Sequence, residues 1–155
     1  MATGTGQEAP DFELGGANVD GKLKLSSLRG HKAAAIVFYP FTFTGVCHGE
    51  LCALRDDIGD FEAAGVQVIA ISCDSPFAQQ RWAEAEGYTF PVLSDFWPHG
   101  EVSRSYGVFN EDLGAAMRGT FLVGKDGTIV DVFESADLRT PRDKARYDDA
   151  IATLS

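Results

Sequence analysis

The clearest hydrophobic pattern begins at residue 33, where AAAIVFY (33–39) runs apolar without a break, as a strand covered on both faces does. A loop of proline, threonine and glycine follows. From about Val46 to Ala64 the apolar positions Leu51, Leu54, Ile58 and Phe61 recur at helical spacing, and Gly65 closes the pattern. VQVIAIS (66–72) predicts the next strand. Ser75 before Pro76 reads as an N-cap with proline at the first helical position, opening a helix through about Glu86. A short strand around PVLSD then precedes a brief helix in HGEVSRSYGV. GTFLVGKDGTIVDVFES predicts two strands joined by Gly-Lys-Asp-Gly, where Asp-Gly supplies the positive φ of a tight turn. The last helix is expected from Pro141 to Thr153. This alternation predicts an α/β fold, a central mixed sheet flanked by helices, with an N-terminal extension carrying GKLKLSSL. No repeat or linker interrupts it, so residues 1–155 are expected to form a single domain.

Composition narrows the function classes. With 155 residues, 45% of them hydrophobic and 11 of them Phe, the chain can build a core without staples. A net charge of -10 repels a phosphate backbone or an anionic membrane, so neither is expected as partner. No apolar run is long enough to span a bilayer, and MATGTGQEAPDFEL lacks the basic start and apolar stretch of a secretory signal; a cytoplasmic protein is expected. Cys47, Cys52 and Cys73 make an odd count of three. Cysteines of this kind are more often free, metal-bound or catalytic than parts of a disulfide framework.

Cys47 falls at the start of a helix that follows a strand, where unpaired backbone N–H groups and the helix dipole favour negative charge. That placement lowers a thiol pKa, and a thiolate is a nucleophile. Taken alone, a cysteine here also fits a small buried residue of a core helix. Its neighbours favour chemistry: Pro40 ends the strand and Thr44 offers a hydroxyl three residues before the thiol. On a helical wheel Cys47 falls on the inward side with the core stripe, whereas Cys52 falls with His48, Arg55, Asp56 and Gly59 on an exposed side.

Pro40, Phe43, Thr44 and Cys47 together resemble the peroxiredoxin signature P-x-x-F-[T/S]-x-x-C. APDFEL, FPVLSDFWPHGEVSRSYGVFN and RGTFLVGKDGTI extend the resemblance over most of the chain, to the one-cysteine, alkyl hydroperoxide reductase E type. The resemblance implies a thioredoxin-like fold and thiol-dependent reduction of hydrogen peroxide and organic hydroperoxides, with peroxynitrite as a further candidate substrate. It maps the family's arginine onto Arg118 and its glutamate onto Glu50, and it implies a homodimer. Physical reasoning fits these roles. Attack on a peroxide oxygen pushes negative charge onto the departing oxygen, which Arg118, the Thr44 hydroxyl and the Cys47 N–H are placed to stabilise. Glu50 would orient the guanidinium through a bidentate contact. Outside the resemblance, Arg118 reads as a solvated arginine and Glu50 as a first-turn acid. Phe41, Phe43, Phe96 and Trp97 are candidates to line an apolar entrance for organic hydroperoxides, and core packing explains them equally well.

Cys52 departs from the one-cysteine class. C-x4-C matches the resolving-cysteine spacing of the bacterioferritin-comigratory (Q-type) peroxiredoxins. In an intact helix the two Cα atoms lie about 8.7 Å apart, beyond the roughly 4.4 to 6.8 Å a disulfide spans, so resolution by Cys52 needs the helix to unwind. The other route is an external reductant: a low-molecular-weight thiol, thioredoxin or a glutaredoxin-like redoxin. Cys73 ends a strand and is expected to be a packed thiol, although the crevice at strand ends keeps a role near the site open. Zinc through Cys47, His48 and Cys52 lacks a second close ligand pair, and no glycine-rich phosphate loop is present, so no cofactor or metal is expected. His31 and His99 read as solvated or structural, Trp82 and Trp97 as core. Two rival functions stay open: a thiol-disulfide exchanger, though C-x-x-C is missing, and a redox sensor that passes oxidation to a protein partner.

Overall fold

The computed structural model describes residues 4–135 and 140–154, with Cys47 and His48 described by their backbone. In chain order the elements are β1 (Glu13–Ala17), β2 (Lys22–Lys24), β3 (Ala33–Phe38), α1 (Gly45–Asp56), α2 (Ile58–Ala63), β4 (Val66–Ser72), α3 (Pro76–Glu86) and β5 (Val92–Ser94). They continue with α4 (Glu101–Ser105), β6 (Phe109–Asn110), β7 (Ala115–Ala116), β8 (Gly119–Val123), β9 (Ile129–Glu134) and α5 (Lys144–Leu154). A mixed sheet runs in the order β2-β1-β5-β4-β3-β8-β9, and β6 and β7 form a separate ribbon. β3 pairs in parallel with β4 and antiparallel with β8, so the ends of β3 and β4 and the start of β8 lie at one edge of the sheet.

Strand β3 shows why the pattern at residue 33 is continuous. Ala33, Ala35 and Val37 enter one core cluster, with Leu51 and Leu54 of α1 and Trp82 of α3. Ala34, Ile36 and Phe38 enter the other, where Phe38, Tyr106 and Phe121 meet ring against ring. Alternate residues of a strand face opposite ways, and here both sides are covered.

Several sequence expectations meet their elements. Ser75 caps α3 by accepting from the Ala78 N–H at 3.2 Å, Pro76 occupies the first turn, and Gly87 closes the helix in the left-handed conformation. The hairpin turns at Gly124 to Gly127, with Gly127 at φ +87°. The single helix expected from Val46 to Ala64 is two helices, broken at Asp57, beside the low helix preference of Gly59. The last helix begins at Lys144, not Pro141: Asp143 caps it, its Oδ1 accepting from the Ala145 N–H at 3.0 Å. β1 has no counterpart in the sequence reading: ELGGA carries too little apolar alternation to stand out.

At Gly16 the sheet allows no side chain. A Cβ there would sit 2.1 Å from the Val92 carbonyl oxygen and 2.9 Å from the Leu93 Cα, both backbone atoms of β5. Gly16→Ala is therefore expected to cost about 2 kcal/mol or more by overpacking, measured as a lower urea midpoint at unchanged m-value; an unchanged midpoint would show that β1 can slide away from β5.

Candidate active site

Strand β3 delivers Tyr39 and Pro40, both buried, to the loop before α1. The end of β4 pins that loop: Asp74 Oδ2 accepts from the Thr42 N–H at 2.8 Å and from the Ser72 hydroxyl at 2.7 Å. Thr42 Oγ1 lies 3.0 Å from the Tyr39 hydroxyl, and Phe43 is held at φ +69°, a conformation costly for an aromatic residue. Thr44, extended at φ −95° and ψ 151°, is the N-cap of α1. Its hydroxyl donates to the Phe41 carbonyl at 2.7 Å and does not cap the helix. One hydroxyl has one hydrogen to donate, so in this arrangement Thr44 offers lone pairs, and donation to a ligand requires leaving Phe41.

Cys47 is the third residue of α1, so its N–H belongs to the group that finds no intrahelical partner and forms the positive end of the helix dipole. The inward side-chain direction expected for Cys47 lies outside the described atoms. One turn further on, Glu50 is buried in a polar cluster. Arg118, directly before β8, donates Nη1 to Glu50 Oε1 at 2.6 Å. Arg142 makes the two-pronged contact, Nε to Oε2 at 2.8 Å and Nη2 to Oε1 at 3.1 Å, and its backbone N–H adds a bond to Oε2 at 2.9 Å. Arg142 also reaches the Phe38 carbonyl at 2.6 Å and Thr120 Oγ1 at 3.3 Å, which lies 2.8 Å from the Tyr147 hydroxyl. The side chains of Arg118, Arg142 and Glu50 are 3%, 0% and 4% exposed. Burial alone would push the Glu50 carboxyl up, but the Arg142 hydrogen bonds and charge, helped by Arg118, outweigh it and hold the carboxyl below its ordinary range. Among the described side chains the cluster sets two guanidinium groups against the Glu50 carboxylate beside the first turn of α1, a setting that favours an anion there.

Arg118 is thus a buried partner of Glu50, and the solvated reading does not hold. Arg142 and Asp74 were missed. A signal for Arg142 was available: a carboxylate on the buried side of a helix has about four lone-pair sites, more than one guanidinium fills. Nothing local marks Asp74.

Cys52 needs a correction. It is half-buried rather than exposed, packed against the core cluster, with Sγ 3.4 Å from the Tyr88 hydroxyl and 3.9 Å from Glu86 Oε2, because the C-terminal end of α3 folds over this face of α1. Cys73 is half-buried, 4.0 Å from the Ser103 hydroxyl; burial, with Asp95 nearby, pushes its pKa up to about 11 and keeps it a thiol. Trp82 is core, whereas Trp97 is 69% exposed and contacts the His99 ring, so the core reading fails for Trp97. Phe41, Phe43 and Phe96 are also exposed, with Phe43 against Trp82 and Phe96 against His99, two separate ring groups on the loops after β3 and β5. A cleft of about 300 Å³ opens between α1 and α5, lined by Val46, Gly49, Ala53 and Tyr147, with Glu50 and Arg142 in its wall. Among the described residues no group of three His, Cys, Asp or Glu side chains is placed to hold a metal, and no helix is long and apolar enough to cross a membrane.

Arg142→Met is expected to lower stability by about 3 kcal/mol, since it leaves a buried carboxylate short of partners. The pH dependence follows from Glu50. Its folded pKa is depressed, so its contribution is present above the unfolded value of about 4.3 and is lost as pH falls through the folded value. Denaturant titrations between pH 3 and pH 7 are expected to show this acid-linked part shrinking in Arg142→Met; equal slopes in both proteins would contradict the assignment.

The AhpC/TSA family model matches residues 5–132. Alkyl hydroperoxide reductase E of Mycobacterium tuberculosis is 45% identical over 153 residues, covering 97% of each chain. Thioredoxin peroxidase of Echinococcus granulosus is 37% identical over 139 residues, covering 83% of this chain and 70% of its own. Among solved structures, peroxidoxin BcpB of Mycobacterium tuberculosis superposes with a TM-score of 0.84 at 31% identity, covering 97% of this chain and 96% of that one. AhpC of Enterococcus faecalis superposes at 0.86 and 26% identity, covering 99% and 92%. The mixed sheet is the thioredoxin-like fold of these neighbours. The family match and these relatives, on that fold, place the chain in the AhpC/TSA family, as a peroxiredoxin with thiol-dependent peroxidase activity.

Proposed function

We propose that the protein reduces hydrogen peroxide and organic hydroperoxides through Cys47. The Cys47 thiolate attacks the peroxide oxygen that carries hydrogen; the S–O bond forms as the O–O bond breaks, giving a sulfenic acid on Cys47, and the departing alkoxide or hydroxide takes from solvent the proton the thiol released on ionising. The Cys47 N–H, Arg118 and the Thr44 hydroxyl, once it turns from the Phe41 carbonyl, meet the charge developing on the two oxygens. Pro40 shields the thiolate from water, and Glu50 orients Arg118. Arg142 acts through Glu50 and is a positioning residue. The single observation that carries this reading is the buried cluster of two guanidinium groups, Arg118 and Arg142, on the Glu50 carboxylate, one helical turn along α1 from Cys47.

The cycle closes when a thiol displaces the sulfenic hydroxyl. Cys52 and an external thiol or redoxin are the two routes; each leaves Cys47 in a disulfide, internal or mixed, with the hydroxyl lost as water, and a further reducing thiol splits that disulfide to return Cys47 to the thiol. The cleft between α1 and α5 has an apolar wall next to the polar cluster and suits the organic part of a hydroperoxide. A single domain spanning residues 1–155, acting in the cytoplasm as a homodimer, completes the proposal.

Peroxide consumption with a reducing thiol is expected to run for many turnovers in the native protein and to vanish in Cys47→Ser. Arg118→Met is expected to slow the oxidation step by about 100-fold or more, read by single-turnover stopped flow. One stoichiometric oxidation without turnover would replace the enzyme reading by a sensor; an unaffected rate in Arg118→Met would remove Arg118 from the site.

A further inference from the structure

Cys52 is held by a group of residues that the peroxidase reaction does not otherwise use. Its Sγ lies 3.4 Å from the Tyr88 hydroxyl and 3.9 Å from Glu86 Oε2. Arg55, one turn further along α1, closes the group: Nη1 donates to the Glu86 carbonyl at 2.7 Å and stands 3.9 Å from Glu86 Oε2. Tyr88 is itself fixed, 3% exposed, edge-on to Trp82 and stacked on Phe90. The middle of α1 is thereby fastened to the end of α3.

The fastening opposes disulfide formation. Cys47 and Cys52 lie on one unbroken helix, so their Cα atoms are about 8.7 Å apart and their side chains leave the axis about 140° apart. Glu50, between them, is fixed by Arg118 and Arg142, so α1 cannot turn as a body. The first turn is held more loosely: Thr44 provides no side-chain cap, and no acidic residue stands in that turn to meet the dipole. Loosening the first turn frees Cys47 alone. Bringing two sulfurs to a bond of about 2.05 Å also requires Cys52 to leave its place against Tyr88 and the core, whichever of the two residues travels further.

We propose that Tyr88, Glu86 and Arg55 form a clasp that holds Cys52 in reserve, so that the Cys47 sulfenic acid meets an external thiol first and forms the internal disulfide only when the clasp opens. This rests on the reading that Cys52 can resolve Cys47. In the internal step the Cys52 sulfur attacks the sulfenic sulfur, the S–S bond forms, the S–O bond breaks, and the thiol proton leaves with the hydroxide as water. Cys52 is oxidised and Cys47 reduced by the same amount. The clasp is a positioning device, since none of its residues touches peroxide.

The test separates the two steps in Tyr88→Phe and Arg55→Gln, with Cys52→Ser as the reference. Stopped-flow oxidation by hydrogen peroxide reads the first step, and quenched-flow alkylation with mass mapping reads the disulfide. The clasp predicts a disulfide step faster by about five- to tenfold in each variant, the effect of losing one modest hydrogen bond, with the oxidation step unchanged and less sulfinic acid on Cys47 at high peroxide. Both steps changing together would mark Tyr88 and Arg55 as merely structural and overturn the proposal. So would an unchanged or slower disulfide step while Cys52→Ser abolishes the disulfide, and in that outcome Cys52 keeps its resolving role. If native protein and both variants form no more disulfide than Cys52→Ser, the resolving role itself falls, and the clasp with it.

Discussion

Two guanidinium groups share one buried carboxylate at the start of the central helix, and the geometry of the site depends on that sharing. A buried charge survives only when its partners and hydrogen bonds replace the water it has lost. Glu50 obtains four such bonds from two arginines that reach it from β8 and from the segment before α5. Both arginines must be in place for the carboxylate to be satisfied, so the cluster ties α1, β8 and α5 together. Both guanidinium groups stand near the end of the helix where backbone N–H groups already favour an anion.

The rest of the fold holds the loop that carries Pro40 and Thr44. Parallel pairing of β3 with β4 puts Asp74 where it can take the Thr42 N–H, and Ser72, Gln79 and the Leu93 carbonyl continue that support into α3 and β5. Phe43 stays in its costly backbone conformation because both ends of the short loop are fixed, by Asp74 on one side and by α1 on the other. The same helix carries two thiols in different settings: Cys47 in a loosely capped first turn, Cys52 fastened to α3. In the proposed reading, one helix joins a peroxide-reducing end to a half-buried reserve cysteine.

Much of this was legible in the sequence where the information is local. Pro40, Thr44, Cys47 and Glu50 fall within eleven residues, and a strand, a loop and a helix start can be read directly around them. Arg118 was found through the family pattern, since an arginine before a strand says nothing of burial by itself. Arg142 was not found because it is 92 residues from Glu50 and its stretch, Thr-Pro-Arg-Asp, reads as the polar start of a helix. Cys52 was placed in solvent because a helical wheel knows only its own helix. The end of α3 that covers it, with Glu86 and Tyr88, is more than thirty residues away.

The central claim is that the positive environment at the first turn of α1 ionises Cys47 at neutral pH. Its most direct test is the pH dependence of Cys47 alkylation in the Cys52→Ser, Cys73→Ser protein, where a single thiol reports. The account predicts an apparent pKa below about 7, against about 8.5 for a free cysteine. A value at or above that of the free amino acid would contradict it.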